Sequence, residues 1–242
     1  MKTLGIIGGT GPESTVEYYR RLIAAYCSRS PGGHPPSLIL NSVDNKKLIG
    51  FFTANQLAEA ADYLASEIER LACAGVDFAL IAANTPHLVF DQLQQRARIP
   101  LLSIVEVTAD AAAAAGLRRS ALFGTRFTMG AQLFPEAFAR RGLTIVVPNE
   151  REREFIHRKY MSELFIGVIL EKTRTGLLEI VQQMKERDGV DGLILGGTEL
   201  SLILREPIAA GLPVLDTTQI HVDAAVERML SAEAEARSKP AE

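Results

Sequence analysis

The chain has no tryptophan, only two cysteines and only four histidines, so neither a disulfide framework nor a clustered metal site can organise it. Cys27 and Cys73 fall in segments with helical apolar spacing, Leu22-Ile23-Ala24-Ala25-Tyr26-Cys27 and Glu69-Arg70-Leu71-Ala72-Cys73, which reads as free cysteine in helix bodies. No cysteine or histidine pair has metal-ligand spacing, and no metal is expected. Charge of one sign is also lacking: the net −3 offers no electrostatic footprint for nucleic acid or an anionic membrane, and neither is expected as a partner. No apolar run approaches the roughly 20 residues that span a bilayer. The sequence enters a strand pattern at Leu4 without a basic segment followed by an apolar one, so a cytoplasmic location is expected.

What is present is a repeated phrase. Gly75-Val-Asp-Phe-Ala-Leu-Ile-Ala-Ala83-Asn84-Thr85 resembles Gly189-Val-Asp-Gly-Leu-Ile-Leu-Gly-Gly197-Thr198-Glu199, with Ala83 standing against Gly197 at an offset of 114. Gly9-Thr10 after Leu4–Ile7 matches Gly124-Thr125 after Ala121-Leu122-Phe123, offset 115. Ile99-Pro100-Leu101-Leu102-Ser103 matches Leu212-Pro213-Val214-Leu215-Asp216, offset 113. Three matches in one order, at a spacing far beyond solenoid periods, indicate duplicated α/β lobes.

Short apolar runs alternate with helical patterns. Leu4–Ile7, Ser37–Asn41 and Phe78–Ala82 are expected strands, with helices over about 14–27 and 54–75; Ser120–Phe123, Thr144–Val147 and Gly192–Leu195 repeat the order, with helices near 130–141 and through a long stretch to about 188. This is the pattern of doubly wound parallel sheets. The expected division is 1–115 plus 212–230 for the first lobe, 116–211 for the second, and a frayed tail at 231–242. Ligands of such sheets sit outside the carboxyl ends of the strands, which places the loops starting at Gly8, Ala83, Gly124 and Gly197 at a shared cleft.

Those loops are polar. Gly8-Gly9-Thr10-Gly11-Pro12 offers mobile backbone and a helix start suited to a carboxylate or phosphate, but Ser14 stands where a dinucleotide fingerprint needs a third glycine. Asn84, Thr85 and His87, with Thr198 and Glu199 in the mirrored place, suit the carboxylate and ammonium of an amino acid; helix capping is the bland alternative for the threonines. His87 is either an acid-base group or an internally bonded histidine. His221 lies one turn past a strand end and is a weaker candidate.

These motifs resemble the aspartate/glutamate racemase family: Gly5-Ile-Ile-Gly-Gly-Thr-Gly-Pro-Glu-Ser14, Asn84-Thr85-Pro86-His87, Leu122-Phe-Gly-Thr125, Gly196-Gly-Thr-Glu-Leu200 and Leu215-Asp-Thr217. The resemblance implies a pseudosymmetric, cofactor-free, homodimeric enzyme that inverts an α-carbon between two cysteines, one preceding Asn84 and one preceding Thr198. Here those places hold Ala83 and Gly197. A methyl and a hydrogen cannot move a proton, so the thiolate/thiol pair cannot operate.

Three readings follow. The first is an isomerase of a small amino or carboxylic acid that uses His87, Glu199, Lys46, Lys47 or Tyr160 with Lys159 for proton transfer. The second is a lyase or decarboxylase on the same scaffold. The third is a non-catalytic protein that binds an amino acid or dicarboxylate. The expected binding set is Gly9, Thr10, Asn84, Thr85, Thr125, Thr198 and Glu199, with Lys46, Lys47 or Lys159 for a distal carboxylate. Loss of both cysteine side chains is expected to enlarge the cavity.

Overall fold

A computed structural model describes residues 2–237, the side chains of Pro12 and of residues 232–237 excepted. The elements run β1 (Leu4–Gly8), α1 (Pro12–Arg29), β2 (Leu38–Ser42), α2 (Asn45–Thr53), α3 (Leu57–Cys73), β3 (Phe78–Ile81), a 3-10 turn at Thr85–Val89, α4 (Phe90–Arg96) and β4 (Leu101–Leu102). There follow α5 (Ile104–Ala114), β5 (Arg119–Gly124), α6 (Arg126–Gly130), α7 (Leu133–Ala139), β6 (Thr144–Val146), α8 (Glu150–Ser162), a 3-10 turn at Leu164–Ile166, α9 (Glu171–Asp188), β7 (Gly192–Gly196), α10 (Leu200–Ile203), β8 (Ile208–Ala209), β9 (Leu212–Asp216) and α11 (Thr217–Arg237).

One sheet has the order β2-β1-β3-β4, the other β6-β5-β7-β9-β8. All pairings are parallel except β8 with β9. Strands β1, β2, β3 and β4 thus correspond in order to β5, β6, β7 and β9, the arrangement that the sequence offset implies. The central strands β1, β3 and β7 are buried throughout, which is why they read as unbroken apolar runs rather than alternating ones.

The chain divides into two compact units. The first comprises the segment up to Ala82, Val89–Ser103 and the chain from His221 onward; the second comprises Ala83–Leu88 and Ile104–Ile220. In the first, Leu4, Ile6, Phe78 and Leu80 pack with Tyr18, Leu22 and Tyr26 of α1 and with Val222, Val226 and Met229 of α11. In the second, Phe123, Leu193 and Leu195 meet Ile156, Leu177 and Val181, while Leu122, Ile194 and Leu215 meet Ile104, Phe134 and Phe138. Adjacent residues of β5 and β7 point to opposite faces, so helices cover both sides of that sheet.

Four local expectations change. Helix α2 was not anticipated: Asp44 caps it by accepting from the Lys47 amide, and the helix carries both Lys46 and Lys47. The long stretch to 188 is two helices, because Gly167 takes a left-handed conformation (φ 75°) after the 3-10 turn and α9 restarts at Glu171. Residues 212–216, assigned in the expected division to the first lobe, form β9 beside β7, with Leu193 opposite Val214; as the counterpart of β4, this strand completes the second sheet. The expected tail from 231 continues α11 to Arg237, in keeping with its alanine and glutamate content, and 238–242 lie outside the described residues.

Candidate functional site

Strand ends in each unit deliver the polar loops. In the first unit, Gly9 has φ +78°, and a Cβ there would meet Ser42 Oγ at 2.5 Å and the Val43 carbonyl at 2.6 Å, so the turn admits only glycine. The Gly9 amide donates to Thr15 Oγ1 (2.9 Å), which donates to the Gly11 carbonyl (2.9 Å). The loop is therefore tied into its own helix start. Thr10 Oγ1 reaches the Ala82 carbonyl at 3.4 Å. Lys46 and Lys47 are exposed, the latter with its ammonium 4.6 Å from the centre of the Tyr63 ring.

The second unit gathers the remaining candidates. Thr217 Oγ1 donates to the Leu195 carbonyl (2.7 Å) and so accepts from Asn84 Nδ2 (3.2 Å), which fixes the orientation of the Asn84 amide. Its Oδ1 is then left buried without a donor, as is the Thr218 hydroxyl without a partner. Thr85 Oγ1 lies 3.2 Å from Thr125 Oγ1, which in turn lies 3.2 Å from Thr128 Oγ1 and caps α6 by accepting from the Thr128 amide. Thr125 thus has the capping role, and Thr85 faces it.

His87 is buried and committed. The Ile104 amide donates to its Nε2 (3.2 Å), so Nδ1 carries the proton and donates to the Ala83 carbonyl (2.9 Å). Burial pushes its pKa down from 6.5 to about 4, against the backbone hydrogen bonds. It is a neutral clamp on the loop that holds position 83, and neither ring nitrogen is free for proton transfer. His221 is similarly engaged, with Tyr18 Oη at 3.0 Å and the Leu102 carbonyl at 3.1 Å.

Around Gly197 the geometry overturns the expected enlargement. A Cβ at this position would meet Tyr160 Cε2 at 2.6 Å and its hydroxyl at 3.1 Å. The tyrosine, 5% exposed on α8, occupies the space a side chain at 197 would take, and its hydroxyl donates to Glu199 Oε2. Thr198 Oγ1 donates to the same oxygen (2.8 Å). Burial first, then the Glu199 charge, hold the Tyr160 phenol well above its ordinary range, so it stays protonated. The neighbouring Lys159 pairs instead with Glu163, which also accepts from Thr173 and whose pKa is lowered by the Lys159 bond first. Among the described residues, no group of three or more His, Cys, Asp or Glu could hold a metal ion.

The family model for Asp/Glu/hydantoin racemases matches residues 7–225. The chain belongs to that family. It is 21% identical over 229 residues to a broad specificity amino-acid racemase, RacX, of Bacillus subtilis (strain 168), covering 89% of this chain and 92% of the relative. Among solved structures it is similar to a candidate Asp/Glu racemase from Yersinia pestis (32% identity, TM-score 0.87, 95% of this chain and 100% of the other). It is also similar to an aspartate racemase homologue from Pyrococcus horikoshii OT3 (33%, 0.81, 95% and 99%). Racemase-family likeness therefore extends over nearly the whole chain, while the two positions at which the resemblance places cysteines hold Ala83 and Gly197.

Sequence reasoning singled out Tyr160 but not its tie to Gly197. The two lie far apart in the chain, and nothing in either segment signals the contact. Thr128 and Thr218 were also missed, and Thr217 was singled out only as part of a motif, although the Thr125-x-x-Thr128 spacing is a capping signal and Thr217-Thr218 directly follows a strand end. No helix among the described residues is long and apolar enough to cross a membrane.

Proposed function

We propose that this racemase-family chain binds a small amino acid or dicarboxylate at the carboxyl edge of its second sheet and exchanges the proton on its α-carbon without cofactor and without thiols. The observation that carries the reading is the buried, donor-less Asn84 Oδ1, left over when Nδ2 is held by the Thr217 relay. An unsatisfied buried acceptor costs about 1–3 kcal/mol, and an ammonium group would satisfy it. Thr85, Thr125, Thr198 and Glu199 complete the polar set. The tied Gly9 loop, Thr10 and the exposed Lys46 and Lys47 take no part in this reading. A homodimer is included on the family resemblance alone, and a cytoplasmic location on the sequence pattern.

Calorimetric titration with the enantiomers of aspartate, glutamate and other amino acids, combined with NMR of α-hydrogen exchange in deuterated water, tests this. Asn84→Ala is expected to weaken binding about 10- to 100-fold, the range for a hydrogen bond to a charged group. Unchanged affinity would remove Asn84 from the site. A non-catalytic binding protein is the second reading, favoured by the commitment of both His87 nitrogens to backbone; binding of an amino acid with no exchange would establish it.

A further inference from the structure

We propose that Tyr160 is the catalytic residue that replaces the thiol of position 197, and that it moves the substrate's α-proton in relay with Glu199 from one face only. The proposal rests on the proton-transfer reading above and names its working group.

Three observations meet at this point. Gly197 has no side chain, and the Tyr160 hydroxyl stands 3.1 Å from where its Cβ would be, inside the space a cysteine side chain would sweep. That hydroxyl donates to Glu199, a residue 2% exposed whose same oxygen also accepts from Thr198. At position 83, by contrast, the side chain is a methyl, and the titratable group clamping its loop, His87, has both nitrogens on backbone.

A phenol this hard to ionise is a poor base alone, but one already bonded to a carboxylate can act without ionising. The substrate α-carbon–hydrogen bond breaks as a new O–H bond forms on the phenol oxygen. The original phenol O–H bond breaks, and its proton passes to Glu199 Oε2. The products are an α-carbanion stabilised by its carboxylate, neutral Tyr160 and protonated Glu199. Reversal returns a proton to the same face, so configuration is retained and only one enantiomer exchanges.

The test uses the intact chain with each enantiomer of aspartate, glutamate and further amino acids in deuterated water. NMR follows α-exchange, chiral chromatography follows configuration, and titration calorimetry follows affinity, for the wild type, Tyr160→Phe and Glu199→Gln. The expected result is exchange of one enantiomer with retention. At saturating ligand the rate should fall at least about 100-fold in both variants, with wild-type melting behaviour in at least one and, for Tyr160→Phe, affinity within about threefold. Exchange that persists in Tyr160→Phe overturns the assignment and leaves the proton-transfer reading standing. Exchange with inversion overturns the single face. Ligand binding without any exchange in the wild type overturns the proton-transfer reading itself, and this proposal with it.

Discussion

The loop after β3 and the loop after β7 come from one repeated phrase and have diverged in what fills the place of the missing side chain. At 83 a methyl remains, and the loop is stiffened from behind by His87, which bonds the Ala83 carbonyl and the Ile104 amide. At 197 even the methyl is gone, and Tyr160 of a different helix closes over the backbone and hydrogen-bonds Glu199. Two absences that look alike in sequence are physically unlike: position 83 keeps a methyl, while the space beside 197 is taken by a side chain from α8.

The largest effect that separates the two loops is a pH dependence. His87 in the fold titrates near 4 and in the unfolded chain near 6.5, so the folded state requires the neutral ring. Its contribution is fully present above pH 6.5 and is lost as pH falls toward 4, by roughly 3 kcal/mol. Urea unfolding at pH 7 and pH 4.5 should show a steeper loss for the wild type than for His87→Gln. Equal slopes would mean that the clamp at position 83 is not the neutral, buried group described.

Next comes the loop after β7. Gly197→Cys alone should destabilise the chain by about 1–3 kcal/mol, because the new Cβ must displace the Tyr160 ring and its bond to Glu199. It should not restore thiol chemistry at that face. Thermal melts and α-exchange assays check both. Smaller still, Thr125→Ala should cost about 1 kcal/mol through loss of the α6 cap, read by the melting temperature. Ala83→Cys should change stability least, by under about 1 kcal/mol, since the position already accepts a Cβ; a large loss there would erase the contrast between the two loops.

The alternation of buried strands and helices was legible because β1, β3 and β7 are central strands whose burial on both faces imprints unbroken apolar runs. The 114-residue offset carried over to a shared strand order. Short capped elements were less legible: α2 depends on one Asp44 side chain, and the break before α9 on the left-handed Gly167. In the candidate site, Asn84, Thr85, Thr125, Thr198 and Glu199 were visible as polar residues at strand ends. What sequence could not carry was non-local commitment: that both His87 nitrogens are consumed by backbone, and that Tyr160 fills the space left at 197.

A double-mutant cycle on stability tests the central contrast most directly. Gly197→Ala should cost about 1–3 kcal/mol more in the wild type than in a Tyr160→Ala background, since any backbone effect of the added methyl cancels in the comparison and only its collision with the ring differs. Equal costs in the two backgrounds would contradict the claim that Tyr160 occupies the missing side chain's place.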